Sequence, residues 1–277
     1  MNTRPEPAAP APLEALVAAV LKSAKYGNLA PELIRDIGAR ELANRRNLDE
    51  AIKATKRKLH QIGGAYTVGS RDYARWLEQL RIAVESGQRS KLLACCKQMM
   101  SYHTSTKERL PILERFYAET LAGIPPPRTV LDLACGLNPL ALPWMPLAEH
   151  AAYYAYDIYH DMAEFLNEFL TLTRTAGRAE ARDVLRHPPE QAADLALLLK
   201  AIPCLEQIDA AAVYRLLEYV NARHMLVSFP VRSLGGKSKG MSENYEARFT
   251  ALVAGKPWKI TRFAFATELA FLITRNA

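Results

Sequence analysis

The sequence predicts a Rossmann-like α/β domain with a seven-stranded, mainly parallel sheet, preceded by an all-helical domain. Three observations predict it. A β-type run, Thr129-Val-Leu-Asp-Leu-Ala134, enters a tight Cys135-Gly136 turn, and Asp157 closes a second apolar run, Tyr153-Tyr-Ala-Tyr156. From residue 129 on, strand and helix patterns alternate, whereas residues 13 to 120 carry only helical spacing. Charge divides the same way: residues 1–128 hold 21 Lys+Arg and 13 Asp+Glu, a net of +8, against −1 in 129–277.

The helical half reads in order. Pro5, Pro7, Pro10 and Pro12 among alanines predict a disordered tail over 1–12 with no signal-peptide pattern. Leu13, Leu16, Val17, Val20 and Leu21 recur at helical spacing. Pro31 starts a second helix with Leu33, Ile34 and Ile37 inward, and a third spans about 47–60 before Gly63-Gly64. Ser70 or Asp72 caps a helix through about 85, and Ser90 caps another through Met100. Thr104 to Leu121 reads as one helix, with a weak capping signal in Ser105-Thr106-x-Glu108. Pro125-Pro-Pro127 is a rigid hinge. It sets the expected domains: tail 1–12, basic helical domain 13–124, sheet domain 125–277.

In the sheet domain, strands are expected at 129–134, 152–156, 179–182, 194–199, 224–229, 258–266 and 268–274. Helices are expected at about 139–147, 160–175, 188–191 and 208–221. Helical crossovers make the sheet mainly parallel, and the last two strands form an antiparallel hairpin. This is the usual architecture of class I S-adenosylmethionine (SAM)-dependent methyltransferases.

Several classes are excluded or disfavoured. No run of 18 apolar residues exists, so no membrane span is expected. Cys95, Cys96, Cys135 and Cys204 have neither metal nor disulfide-framework spacing, which suits a reduced, cytoplasmic protein without metal. A basic module joined to a neutral one suggests a nucleic-acid substrate, held by the first and modified by the second. A solvated basic surface is the plainer alternative.

Strand ends at the carboxyl edge of such a sheet line the ligand crevice. Gly136 lets backbone approach a ligand, and Asp157 can accept ribose hydroxyls. The dinucleotide pattern G-x-G-x-x-G is absent, which favours SAM over a pyrophosphate cofactor. Asp183 then lies near the adenine amino group or caps a helix, and Ile158 packs on the adenine. Arg109 either holds the SAM carboxylate as a bidentate pair or is an ordinary helix-terminal arginine. Pro203-Cys204 resembles the nucleophile dipeptide of cytosine C5-methyltransferases, but a small buried cysteine is the preferred reading. The loop Phe229–Met241 carries Arg232, Lys237 and Lys239 as phosphate contacts, or is a mobile surface loop. Lys22, Lys25, Lys53, Lys56, Arg57 and Lys58 suit phosphate positioning rather than base reading.

Five segments resemble the aminoglycoside-resistance 16S ribosomal RNA methyltransferases, the Arm/Rmt family and its relatives in antibiotic producers. They are Lys58-Leu-His-Gln-Ile62 with Gly64-Ala-Tyr66, His103-x-Ser-Thr-x-Glu-Arg109, Asp132-Leu-Ala-Cys-Gly-Leu-Asn-Pro139, Leu199-Lys-x-x-Pro-Cys-Leu-Glu-Gln207 and Phe229-Pro-x-Arg-Ser-Leu-Gly-Gly-Lys237. The resemblance runs from about residue 15 to 275. It implies methylation of guanine-1405 N7 in the decoding site of the assembled 30S subunit by a monomer, and hence aminoglycoside resistance. It implies SAM contacts at Gly136, Asp157 and Asp183, with His103, Ser105, Thr106 and Arg109 closing the methionine end and Gln207 nearby. Ala134, Ile158, Val184 and Leu199 flank these and join the cofactor-binding set. Lys200, Glu206, Lys237 and Met241 fall in its target-base pocket, where no general base is expected. Two rivals remain: a cytosine C5-methyltransferase using Cys204, and a SAM- or RNA-binding ribosome-assembly factor without turnover.

Overall fold

The computed structural model describes residues 11–66, 68–69, 71–231 and 241–275. The expected tail, apart from its last two residues, and the cations Arg232, Lys237 and Lys239 lie outside the described residues, as does the Met241 side chain. The chain divides into two compact units at the Ala65–Tyr66 junction. The proline hinge at 125–127 therefore lies inside the second unit, which also holds the helices between 73 and 121.

The first unit contains three helices: α1 (Pro12–Leu21), α2 (Pro31–Asn44) and α3 (Leu48–Ile62). Pro12 and Pro31 occupy first helical positions, where the missing N–H costs nothing. Leu16, Val20, Leu33, Ile34, Ala51 and Leu59 close its core. Asn47 caps α3 by accepting from the Glu50 amide at 2.9 Å. The opposite face of α3 leaves Lys53 and Arg57 exposed and Lys56 and Lys58 half-buried.

The second unit opens with α4 (Tyr73–Glu85), capped by Asp72, and α5 (Arg89–Met100). Ser90 does not cap α5. Gln88 is the capping position, and it makes no side-chain bond. The single helix expected over 104–121 is broken at Pro111 into α6 (Thr104–Arg109), a 3-10 turn and α7 (Leu113–Leu121). Proline lacks the N–H and its ring obstructs the preceding turn.

Seven strands follow: β1 (Thr129–Leu133), β2 (Ala152–Asp157), β3 (Ala176–Ala181), β4 (Ala193–Leu199), β5 (Ala222–Pro230), β6 (Trp258–Ala264) and β7 (Glu268–Arg275). Their order is β3-β2-β1-β4-β5-β7-β6. The first five are parallel; β7 lies antiparallel between β5 and β6. The crossovers are α8 (His160–Leu172) and α9 (Ile202–Tyr219), and α10 (Met241–Val253) precedes β6. Buried Leu131, Leu133, Leu198, Val227, Phe271 and Ile273 form the central core.

Further local expectations are corrected. Residues 188–191 are irregular, with Pro188-Pro189 barring a helix. The helix expected from 139 is a 3-10 segment, Asn138–Trp144, containing Pro143. α9 starts at Ile202 rather than 208, and α10 was not expected at all. α9 kinks at Asp209 (φ −160°, ψ 102°), whose side chain accepts the Ala212 amide and recaps the second half. The sequence signal at 208 belongs to that recap. Among the described residues no helix is long and apolar enough to cross a membrane.

Candidate active site

The sheet reverses direction of growth between β1 and β4, so the crevice lies at their carboxyl ends. Both ends are unusual. Ala134 (φ +53°) follows β1 and Lys200 (φ +58°) follows β4, two left-handed non-glycine residues on neighbouring strands. Such strain persists only where surrounding contacts enforce it.

Gly136 (φ +53°) donates its N–H to Asp157 Oδ2 at 2.8 Å, and Ile158 N–H reaches Oδ1 at 2.7 Å. The acid after β2 thus clamps the turn after β1, while each oxygen keeps capacity for another donor. Burial pushes the Asp157 carboxyl above its usual range, opposed by its backbone donors and by Arg71. A Cβ on Gly136 would lie 2.7 Å from the His103 ring. His103 stacks on Tyr66 with ring centroids 6.0 Å apart, and its Nδ1 lies 3.0 Å from Ser105 Oγ.

Burial and the cations Arg71, Arg109 and Lys200 push His103 down to about 3, so the ring is neutral at pH 7. The unfolded imidazole titrates near 6.5. The unfolded chain therefore binds a proton that the folded chain refuses, and this contribution to stability is full above pH 6.5 and lost as pH falls toward 3. In a urea-unfolding series, the stability of the wild type relative to His103→Gln should shrink as pH drops through that window. A constant difference would mean that His103 titrates normally.

Arg109 and Lys200 are drawn into an ion cluster. Arg109, 1 % exposed, donates its Nε–Nη2 fork to Glu268 and its Nη1 to Asn138 Oδ1 at 2.9 Å. In the structure an internal glutamate occupies the fork for which the sequence suggested the SAM carboxylate. Lys200 is 4 % exposed and donates to Glu108 at 2.7 Å. Asn138 also accepts from Tyr117 and donates to Asp132 Oδ2 at 2.9 Å. Burial pushes Asp132 up to about 6, against bonds from Asn138 and Tyr153.

The other expected site residues separate by exposure. Thr106 is fully buried and spends its hydroxyl on the Met100 and His103 carbonyls. Val184 and Leu199 are buried, Val184 in the central core, and Ala134 and Ile158 are half-buried. Asp183 is 6 % exposed and accepts from the Leu185 amide in a turn; no helix starts there for the cap weighed as its alternative role. Gln207 is exposed, bonded to the Pro203 carbonyl, and Glu206 pairs with Arg248. In the first unit, Lys22 is exposed, while Lys25 donates to His60 Nδ1 at 2.9 Å.

Three contributors escaped the sequence reading. Glu268 and Arg248 are distant in sequence from their partners and carry no motif. Arg71 stacks over Tyr159 at 5.1 Å and Tyr73 at 5.5 Å, and its Nη1 is buried without a partner among the described residues. Its only sequence signal was proximity to the Asp72 cap.

The Cys204 thiol donates to Tyr66 Oη at 2.8 Å, and burial pushes it up to about 11. A thiol held protonated is a poor nucleophile.

A seven-stranded sheet with this order, a glycine turn clamped by the next strand's acid and no pyrophosphate loop defines a SAM-dependent methyltransferase. The chain belongs to the ribosomal RNA methyltransferase (FmrO) family, which matches residues 22–272. It is 38 % identical over 263 residues, 94 % of this chain and 96 % of the other, to the 16S rRNA (guanine(1405)-N(7))-methyltransferase of Micromonospora rosea. The enzyme of the same name from Serratia marcescens is 35 % identical, covering 93 % and 96 %. Among solved structures, the 16S rRNA methyltransferase RmtF in complex with S-adenosylhomocysteine (SAH) superposes with a TM-score of 0.81 at 31 % identity, covering 97 % of this chain and all of that one.

Proposed function

We propose that this protein transfers a methyl group from SAM to N7 of guanine-1405 of 16S rRNA in the assembled 30S subunit. It acts as a cytoplasmic monomer without metal, and the modification confers aminoglycoside resistance. The carrying observation is the clamped Gly136–Asp157 turn beside a half-buried, neutral His103, in a chain whose relatives bear that activity in their names.

The residues present fit the cofactor. Gly136 offers close backbone approach and Asp157 retains acceptor capacity for a ribose. Asp183, Ile158, Ala134, Val184 and Leu199 surround the adenosine, while His103, Ser105, Thr106, Arg109 and Gln207 form the methionine end. SAM supplies an electrophilic methyl on a sulfonium. Guanine N7 carries an in-plane lone pair and no proton, so the chain need only align it. His103, held near 3, is a weak base and Lys200 is ion-paired, so neither is poised to take a proton, which this reaction tolerates. The N7 edge lies in the deep, narrow groove of an RNA helix, so the guanine is flipped out, at a cost of about a few kcal/mol. Lys200, Glu206 and Met241 shape its pocket, and Arg232, Lys237 and Lys239 hold the distorted backbone. The fixed positive charge left on the base repels cationic aminoglycosides.

Lys22, Lys25, Lys56, Arg57 and Lys58 dock on ribosomal phosphates. Replacing Lys56 and Arg57 with Glu should weaken 30S binding and reduce the salt slope by about 2. An unchanged slope would remove them from the interface.

The deciding experiment is methyl transfer from labelled SAM to 30S subunits and, in parallel, to naked 16S rRNA, followed by cleavage at N7-methylguanine. One new cleavage at the decoding-site guanine is expected, on 30S subunits alone. Label without such cleavage would favour the cytosine reading. Cys204→Ala should keep activity within about twofold, because a protonated thiol adds nothing to N7 transfer; abolished transfer would reverse that.

A further inference from the structure

We infer that Glu268 is a positioning residue for the methionine end of the cofactor pocket. It acts by fixing the segments that carry Arg109 and Lys200. This rests on the cofactor placement proposed above.

Glu268 begins β7 and is fully buried. Its Oε1 accepts from Arg109 Nη2 at 2.7 Å and from Ser228 Oγ at 2.5 Å. Arg109 Nε lies 3.1 Å from Oε2, and Lys200 Nζ lies 3.4 Å from the same oxygen. Arg109 continues to Asn138 in the turn after β1, and Lys200 continues to Glu108 on α6. One carboxylate therefore joins α6, the β1 turn, the end of β4 and β5. These are the segments around the crevice, and the Arg109–Glu268 pair closes 159 residues of chain.

Net stability does not explain this arrangement. Buried ion pairs commonly return little beyond their desolvation cost, so such clusters are weak evidence of a purely stabilising role. The geometric consequence is large. Lys200 holds a left-handed backbone that must be enforced by its surroundings, and α6 has only six residues, too few to hold its own shape. Glu268 adds a restraint to both: it holds Arg109 on α6 directly, and it holds Ser228, whose hydroxyl and carbonyl accept the Lys200 N–H. Burial disfavours its charge, but Arg109 and Lys200 outweigh that and hold the carboxyl below its usual range. The clamp therefore stays charged at neutral pH.

Two substitutions separate position from charge. Glu268→Gln keeps the shape and removes the charge. Glu268→Asp keeps the charge and shortens the reach by one methylene. Thermal midpoint, SAH affinity by calorimetry, and KM and kcat on 30S subunits would be measured for each. The expected result is that Glu268→Asp recovers most of the midpoint lost in Glu268→Gln. Its SAH affinity should nevertheless stay roughly tenfold below wild type, with KM for SAM raised more than kcat is lowered. SAH affinity that follows the midpoint in both variants would overturn the inference and leave Glu268 a structural ion. If neither variant folds, Ser228→Ala decides: it removes the hydroxyl that donates to Glu268 and accepts the Lys200 N–H at 3.1 Å, leaves that N–H its bond to the Ser228 carbonyl, and changes no charge. Weakened SAH binding there supports positioning, and wild-type binding overturns it. A wild-type chain that does not bind SAH would remove the cofactor placement itself, a distinct failure.

Discussion

Asp157→Asn should weaken SAH binding by at least about tenfold and lower methyl transfer by about 100-fold. The two carboxylate oxygens each accept a backbone N–H, from Gly136 at 2.8 Å and from Ile158 at 2.7 Å. An amide has one oxygen. Whichever way it turns, its NH2 faces one of those N–H groups, donor against donor. Either the Gly136 or the Ile158 N–H then loses its acceptor, and a donor replaces one of the two acceptors available to the ribose. Calorimetry with SAH and a 30S methylation assay measure the two losses. Wild-type affinity in this variant would mean that the acid serves only the fold.

Gly136→Ala should cost about 1–3 kcal/mol of stability and most of the cofactor affinity. Two penalties combine. The backbone is left-handed, which a Cβ disfavours by about 1–2 kcal/mol. The new methyl also lies 2.7–3.1 Å from three His103 ring atoms. The ring is confined by Tyr66 on its face and Ser105 at its edge. Truncating His103 to alanine in the same chain should return part of the lost stability, because contacting residues couple in a double-mutant cycle. Strictly additive losses would show that the ring is not the obstacle.

The sheet domain was legible because each strand carries its own signal. All seven strands were expected, and all but β3 fall within about two residues of their expected ends. β3 was shifted because its start, Ala176-Gly177-Arg178, is exposed and has no apolar alternation. Gly177 (φ +115°) lies there because a Cβ would meet the Tyr153 carbonyl at 2.0 Å, a constraint from β2 that local reading cannot detect. The turn of Gly136 and the acid Asp157 were legible for the opposite reason, since their chemistry sits beside strands that are easy to read. The Arg109 fork was legible as a fork, but its partner was not. Glu268 is the first residue of a strand and looks like any polar strand end. Only the pairing of β7 with β5 brings it under Arg109.

The junction after Ala65 has a practical meaning for anyone who rebuilds this enzyme. A fragment cut at the proline hinge, starting near residue 128, would strip away Arg109, Phe116 and Tyr117, leave Glu268 with Ser228 and Lys200, and uncover Phe265. A graft made at residue 65 severs none of those links. Exchange of the first 65 residues among relatives therefore tests the docking role proposed for them and leaves those links in place.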